Sequence, residues 1–197
     1  MITIVTPPSP IVTSSDLIGY GGDQNTAIAI IAAVTAEFDG PYGKLRRCFG
    51  PQTLDLTVPQ QRNRPIRLPC PPIIEIVSVT SIDQSGDEAV IDEAGYKLKN
   101  GQLSWLDSAD IARCNLVRIR YRAGYDGVKT GDLPAQIKAA IAMKANFLLR
   151  ISGGAAFLRS EEVEGIGRTE YSIPEQATMA INSAADALVE GLKIYQL

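Results

Sequence analysis

The sequence predicts an α+β protein, with a helical core of one N-terminal and two C-terminal helices and an inserted small antiparallel β-sheet unit. Two observations lead to this prediction. Residues 23–39 and the segments after residue 134 carry apolar side chains every three or four positions, as amphipathic helices do. Residues 44–122 instead contain short β-branched runs separated by Gly, Pro and Asn, which indicates strands joined by tight turns.

The N-terminal part of the chain is predicted to be an extended segment followed by a helix. Prolines interrupt residues 1–22, so no helix is expected there. A helix over residues 23–39 can begin at Asp23, Asn25 or Thr26, each of which suits an N-terminal cap. One face of this helix carries Ala27, Ile30, Ile31, Val34 and Phe38.

The β unit over residues 44–122 is predicted from five runs. Two strands are expected in RRCFGPQTLDLTV, on either side of Gly50, and one each in RPIRLP and IIEIVSVTSID. The segment YKLKNGQLSW is typical of a hairpin that turns at Asn100-Gly101. The last strand is NLVRIRYR, in which apolar and charged residues alternate strictly.

Two further helices and a long connection are predicted after the β unit. The helix over residues 134–151 has one apolar stripe of Ile137, Ala140, Ile141, Ala145 and Leu148 and a second of Met143, Phe147 and Ile151. Residues 152–174 are predicted to be a flexible loop, and residues 175–197 hold the terminal helix. Its seam consists of Ala177, Ile181, Ala184, Leu188, Leu192 and Tyr195.

Composition and charge exclude several classes of function. The chain has 197 residues, 19 of them basic and 22 acidic, and this balance argues against a general nucleic-acid binder. Because histidine is absent, Ser-His-Asp and Cys-His nucleophiles and the usual zinc sites are excluded. We therefore expect no enzyme, no metal and no cofactor. Cys48, Cys70 and Cys114 form no CxxC pair and are interpreted as reduced thiols.

Three arginines of the last strand share one face. Arg118, Arg120 and Arg122 alternate with apolar residues immediately before the turn segment AGYDG. They can lie on the exposed face of the sheet, opposite carboxylates of neighbouring strands. They can equally form a subunit contact, in which the guanidinium groups pair with carboxylates of another chain. Composition leaves both interpretations open.

Two acidic stretches are candidates for chemistry. Asp83, Asp87 and Glu88 lie in DQSGDE, where the oxygen donors lack the order of a calcium loop and a hairpin turn is favoured. Glu161, Glu162 and Glu164 are close in sequence, as paired acid/base carboxylates would be. No apolar pocket is indicated beside them, so solvated glutamates are the simpler interpretation.

The order of these segments resembles the head–tail connector (adaptor, or head-completion) proteins of tailed phages and gene transfer agents. RLPCPPIIEIVSVTSIDQSGD, YKLKNGQLSW, VRIRYRAGY and LPAQIKAAIAMKANFLLR follow one another here as their counterparts do in that family. The family's [IV]-x-G-x-G element is matched at residues 163–167, and the likeness spans about residues 23–195. Each motif is individually soft, and the specificity comes from their order and spacing.

The resemblance implies a structural role without catalysis. Such proteins form a ring, usually of twelve copies, beneath the portal protein, extend the channel for double-stranded DNA without reading its sequence, and receive the stopper or tail-completion protein. Residues 23–151 would be the connector domain, and residues 175–197 a helix that docks on the portal. The implied location is the neck of a virion or gene transfer agent particle, assembled in the host bacterial cytoplasm and involving no membrane.

Within that role, three sets of residues are assigned. The subunit interface would join Arg118, Arg120 and Arg122 to Asp83, Asp87 and Glu88 of a neighbour. The portal would bind Ile181, Ala184, Leu188, Leu192 and Tyr195. Glu161, Glu162 and Glu164 would face the DNA channel, and residues 152–174 with the last helix would become ordered only on the portal.

Three alternatives remain. A stopper or tail-completion protein would occupy the same neck, although two long helices after the sheet favour the adaptor. A carbohydrate- or receptor-binding β module needs clustered exposed aromatics, for which Trp105 and seven scattered tyrosines give little support. An enzyme acting through carboxylates is disfavoured by the missing histidine.

Overall fold

The computed structural model describes residues 1–17, 21–60, 64–106, 115–151, 161–163, 167–169 and 175–194. These residues form ten strands and three α-helices. The strands are β1 (Ile2–Thr6), β2 (Gln52–Pro59), β3 (Ile66–Arg67), β4 (Ile73–Ile82), β5 (Glu88–Ile91), β6 (Tyr96–Lys99), β7 (Gln102–Trp105), β8 (Leu116–Ala123), β9 (Glu161–Val163) and β10 (Gly167–Thr169). The helices are α1 (Gln24–Phe38), α2 (Ala135–Arg150) and α3 (Glu175–Val189).

The largest sheet has five antiparallel strands in the order β1-β2-β8-β4-β5. Its central strand is β8, whose alternation of apolar and charged residues sets one face into the core and the other into solvent. Val117, Ile119 and Tyr121 are fully buried, whereas the three intervening arginines lie on the opposite face. The Tyr121 hydroxyl donates a hydrogen bond of 3.0 Å to the carbonyl of Pro69, so its polar atom is satisfied in the core.

A second sheet of three strands, β3-β7-β6, contributes to the same hydrophobic core. The β6–β7 hairpin turns at Asn100 (φ 51°) and Gly101 (φ 72°), the two left-handed residues that a type I′ turn needs. Leu103 of β7 and Leu68, next to β3, belong to the same cluster of buried residues as Ile119 and Val79. The Asn-Gly signal therefore predicted this hairpin correctly.

Two details of the sheet unit differ from the sequence-based prediction. The strand predicted directly before Gly50, in residues 46–49, does not form, and only a single bridge joins Asp39 to Arg47. Arg46 has φ 53°, and the amides of Phe49 and Gly50 bind the Asp39 carboxylate instead of a neighbouring strand. The N-terminal segment is also not merely extended. Its residues Ile2–Thr6 pair with β2 and form one edge of the five-stranded sheet.

The chain divides into two compact units. The first consists of residues 1–9, 38–133 and 194–197 and contains β1–β8. The second consists of residues 10–37 and 134–193 and contains α2, α3, β9, β10 and all but the last residue of α1.

In the helical unit, α1 begins where the sequence predicted. The Asp23 carboxylate accepts hydrogen bonds from the Thr26 amide (2.8 Å) and the Thr26 hydroxyl (2.7 Å), which caps the first turn and lowers the pKa of Asp23. The buried face of α1 consists of Ala27, Ile31, Val34 and Phe38, and Ile30 of the predicted set is only half-buried.

The buried stripe of α2 differs from the prediction at two positions, residues 144 and 149. Leu149 is buried, whereas Leu148 is 39% exposed, because the stripe that starts at Ile137 advances by four residues at each step and reaches residue 149. Lys144 also lies in this stripe. Its ammonium group is paired with the Glu37 carboxylate at 2.5 Å, so the charge is not buried without a partner.

The terminal helix is shorter than predicted. α3 ends at Val189, and a 3-10 turn over Glu190–Leu192 follows, after which Lys193 is extended. Gly191 lies in this turn, and glycine disfavours the continuation of an α-helix. The prediction of helix up to residue 195 was therefore too long within the described part of the chain.

The connection between α2 and α3 contains regular structure that the sequence did not indicate. β9 and β10 pair as an antiparallel hairpin in which Val163 lies opposite Gly167. The predicted mobility of residues 152–174 stays a prediction. The mixed α+β class with antiparallel sheets is confirmed.

Candidate functional site

The arginine row of β8 is neutralised by carboxylates of the same chain. Arg120 binds Asp55 of β2 through two hydrogen bonds of 2.8 Å, and Arg118 binds Glu88 of β5 through two of 2.6 and 3.0 Å. Arg122 binds Glu75 of β4 at 3.0 Å. The first of the two interpretations drawn from the sequence, pairing across neighbouring strands, is thus present. Participation in a subunit contact stays a prediction.

The electrostatics of the row follow from these pairs. Lys129 (2.5 Å) and Arg122 both bind Glu75 and hold the pKa of its carboxyl below the usual value. The bidentate bond to Asp55 raises the pKa of Arg120, which stays protonated in any case. The three arginines and Lys129 are therefore paired with three carboxylates. This face of the sheet carries both positive and negative side chains and is not a positive patch.

Some of the carboxylates in the acidic turn after β4 already have partners within the chain. Asp83 accepts hydrogen bonds from the amides of Ser85 (2.7 Å) and Asp87 (3.0 Å), which fixes the turn, while Gly86 takes the left-handed conformation with φ 89°. The Glu88 carboxylate is paired with the Arg118 guanidinium group. Of the three acidic residues assigned to a subunit interface, only Asp87 has a carboxylate without a partner among the described residues.

A groove that the sequence did not indicate opens in the sheet unit. Its volume is about 500 Å³, and its buried lining consists of Pro41, Leu56, Leu68 and Cys70. The exposed side chains of Arg46 and Arg67 also line it. We call this cavity the arginine groove. Neither of its arginines has a carboxylate partner in the part of the chain that the structure describes.

A buried carboxylate fixes the loop that carries Arg46. Asp39 accepts hydrogen bonds from the amides of Phe49 (2.8 Å) and Gly50 (3.3 Å) and from the side chain of Gln52 (3.1 Å). Burial raises the pKa of Asp39 and outweighs these hydrogen bonds, which act in the opposite direction. No local sequence signal could reveal the groove, because its lining comes from segments far apart along the chain.

The turn after β8 explains the AGYDG segment. A Cβ atom on Gly124 would lie 2.4 Å from the carbonyl oxygen of Gly50, so only glycine allows these two backbones to approach. The Tyr125 amide then donates to the Phe49 carbonyl (3.0 Å), and the two rings stack with centroids 6.3 Å apart. The Asp126 carboxylate accepts from the amides of residues 128–130, which lowers its pKa to about 2.

The predicted portal-binding residues are only partly grouped by the structure. Ala185 and Val189 form the buried face of α3, whereas Ala184 is exposed and Leu188 is 38% exposed. Ile181 and Leu192 are half-buried. The predicted portal-binding residues therefore do not share one accessible face: some lie toward the packed side of α3, and others lie on a side that is accessible in this chain. Tyr195 lies outside the described residues.

Two of the three predicted channel-facing glutamates are placed only by their backbone. Glu161 and Glu162 belong to β9, where they lie opposite Thr169 and Arg168 of β10. Glu164 lies outside the described residues. A position in a channel stays a prediction for all three.

Other candidate chemistry finds no support among the described residues. They include no group of three or more Cys, Asp or Glu side chains that could hold a metal ion. Cys48 and Cys70 are buried free thiols, and their mutual hydrogen bond, together with burial, raises the pKa of Cys48. Cys114 lies outside the described part. None of the described helices combines the length and apolarity needed to cross a membrane.

Comparison with solved structures reveals a shared fold. The chain is similar to a chain of the "Virion of native gene transfer agent (GTA) particle", with a TM-score of 0.66 at 16% identity, covering 100% of this chain and 97% of the other. It is similar to a chain of the "Neck of empty GTA particle computed with C6 symmetry" with a TM-score of 0.64 at 15% identity. A chain of the "Neck of native GTA particle computed with C12 symmetry" gives a TM-score of 0.58 at 16% identity. Both neck matches have the same coverage as the first.

These likenesses establish the fold of the chain over its whole length. No protein-family model matches this sequence, and no curated protein matches it. The class that the fold defines is therefore that of an α+β chain built like components of gene transfer agent particles.

Proposed function

We propose that this chain is a structural component of the neck of a phage-like particle and that it acts there as the head–tail adaptor. Copies of the chain form a ring beneath the portal, continue the DNA channel and receive the stopper or tail-completion protein. The observation that carries the proposal is the match of the whole chain to chains from gene transfer agent particles, including two necks. The C6 and C12 symmetries with which those necks were computed support a ring.

The charges of the described residues suit a passage for DNA. Translocating DNA has to slide, and exposed Lys and Arg that neutralise phosphates would hold it by counterion release. The net charge of this chain is −3, and each arginine of the β8 row is already paired with a carboxylate. Glu161, Glu162 and Glu164 facing the channel would add to the same effect. This role requires no catalysis and no cofactor.

The terminal helix supplies the proposed contact with the portal. Ala184 and Leu188 are accessible on α3, while Ala185 and Val189 hold the helix to its own unit. Ala184→Glu with Leu188→Glu should abolish binding of the purified chain to its portal. Asn182→Glu, on the opposite side of the helix and also exposed, is the matched control and should bind normally. Equal binding by both variants would count against docking through this face.

Deletion of the gene in the producing cell tests the function itself. The proposal predicts DNA-filled heads and separate tails, which join again when the purified chain is added. Normal particles in the deletion strain would refute a role in the neck. A stopper or tail-completion protein in the same neck is the alternative: it predicts the same particles, but the added chain would cross-link to another neck protein and not to the portal.

A further inference from the structure

We propose that the arginine groove receives the acidic hairpin of the next copy of this chain, so that neighbours in the ring meet groove to hairpin. The acidic hairpin comprises residues 83–93, which are the turn after β4, the strand β5 and the acidic turn that follows it. The inference rests on the proposed ring and goes further, because it names the two surfaces that join.

The groove offers an apolar cavity with unsatisfied positive charge. Its volume of about 500 Å³ accommodates several side chains, and its buried lining is apolar. Arg46 and Arg67 beside it are exposed and have no carboxylate partner among the described residues. They differ in this from Arg118, Arg120 and Arg122, each of which binds a carboxylate of its own chain.

The acidic hairpin offers the complementary surface. Val90 is 76% exposed and is therefore available for contact with another chain. Asp87 and Glu93 lie three residues before and after it, Asp87 in the turn that precedes β5 and Glu93 in the 3-10 turn (Glu93–Gly95) that follows the strand. Both are exposed, and both lack a basic partner in the described residues. An exposed apolar side chain in an acidic hairpin complements an apolar cavity beside two guanidinium groups that have no carboxylate partner among the described residues.

The topology places these surfaces at opposite ends of one sheet. Ile2 of β1 and Leu56 of β2 line the groove, and β1 is one edge of the five-stranded sheet. β5, which carries Val90, is the other edge. A contact between two different surfaces of identical chains is heterologous, and it forms a ring of more than two copies when the rotation between neighbours closes, whereas a surface that met itself would stop at a dimer.

Two reversed variants test the contact. The groove variant carries Arg46→Glu and Arg67→Glu, and the hairpin variant carries Asp87→Lys and Glu93→Lys. All four side chains are exposed, so each variant should fold like the wild type. Each should self-associate about a hundredfold more weakly or worse, since like charges then face each other across the interface. Analytical ultracentrifugation and negative-stain microscopy measure the loss of rings.

Mixing the variants gives the most specific result. The acidic hairpin of the groove variant fits the intact groove of the hairpin variant, and the reversed hairpin fits the reversed groove, so an equimolar mixture should form rings in which the two variants alternate. The chain with all four substitutions should form rings again, because both charges are exchanged together. Val90→Ser should weaken association about tenfold without any change of charge.

Lys97→Glu with Lys99→Glu is the matched control. It changes the net charge by the same amount as the groove variant, in exposed residues of β6 that do not line the groove, and rings should persist. If the wild type forms rings and both reversed variants do so equally well, the contact is wrong while the ring stands. If the wild type remains monomeric at its highest soluble concentration, the ring itself fails and the contact fails with it.

Discussion

The pairing of Arg120 with Asp55 should contribute about 1 kcal/mol to stability, at the upper end of the range for ion pairs near a surface. The geometry supports the upper end because both hydrogen bonds are 2.8 Å long and the Asp55 side chain is only 13% exposed. A double-mutant cycle with Arg120→Met, Asp55→Asn and the combination isolates this coupling energy. For a chain of 197 residues, 1 kcal/mol corresponds to a shift in Tm of about 2–4 °C.

Urea denaturation of the four proteins gives the coupling energy directly. The pair Arg122–Glu75 is a control, because its side chains are 44% and 38% exposed and its coupling should stay below about 0.5 kcal/mol. A coupling energy of zero for Arg120 and Asp55 would refute the intramolecular pair. If stability were unchanged but ring formation were lost, the partner of Arg120 would lie in another chain, as the alternative interpretation of the sequence holds.

Two further predictions concern backbone approach and pH. Gly124→Ala should destabilise the chain by about 2–4 kcal/mol, because its Cβ would lie 2.4 Å from the Gly50 oxygen and its φ is +124°. Gly86→Ala also has positive φ but open space around it, so it should cost only about 1 kcal/mol, and equal losses in thermal unfolding would exclude the steric explanation. Burial raises the pKa of Asp39 above its usual 3.8, so the folded state binds the carboxyl proton more tightly than the unfolded state does. The free energy of unfolding that this proton contributes is therefore present below about pH 4 and is lost as the pH rises through the raised pKa. The difference in unfolding free energy between the wild type and Asp39→Asn should therefore fall as the pH rises above about 4, and a rise would mean that hydrogen bonds to the carboxylate outweigh its burial.

Local signals in the sequence were sufficient for most elements. Three nearby capping candidates, Asp23, Asn25 and Thr26, predicted the start of α1, and the structure shows that Asp23 is the cap because its carboxylate binds the Thr26 amide. Asn100-Gly101 predicted the β6–β7 hairpin because these residues tolerate the left-handed conformation of the turn. Strict alternation predicted β8 because successive side chains of a strand point to opposite faces.

Elements that depend on distant partners were missed or misplaced. The segment directly before Gly50 was predicted to be a strand. Arg46, however, has a left-handed backbone conformation, and the Asp39 carboxylate accepts the hydrogen bonds of the amides that follow. The N-terminal Ile2–Thr6 has no local signal for its partner, and it becomes a strand only because β2 offers a free edge. The burial of Leu149 in place of Leu148 depends on how α2 is rotated in its unit, and a small change in helical phase exchanges the two.

By itself, the sequence determined the α+β class, the succession of the main elements and the absence of histidine chemistry, because capping, turn formation and alternation act over a few residues. Only the tertiary structure decided which carboxylate neutralises each arginine of β8 and which arginines have no carboxylate partner among the described residues. The ion pairs and the arginine groove join segments that are tens of residues apart, and their formation depends on the register and edges of the sheet, which no local pattern encodes.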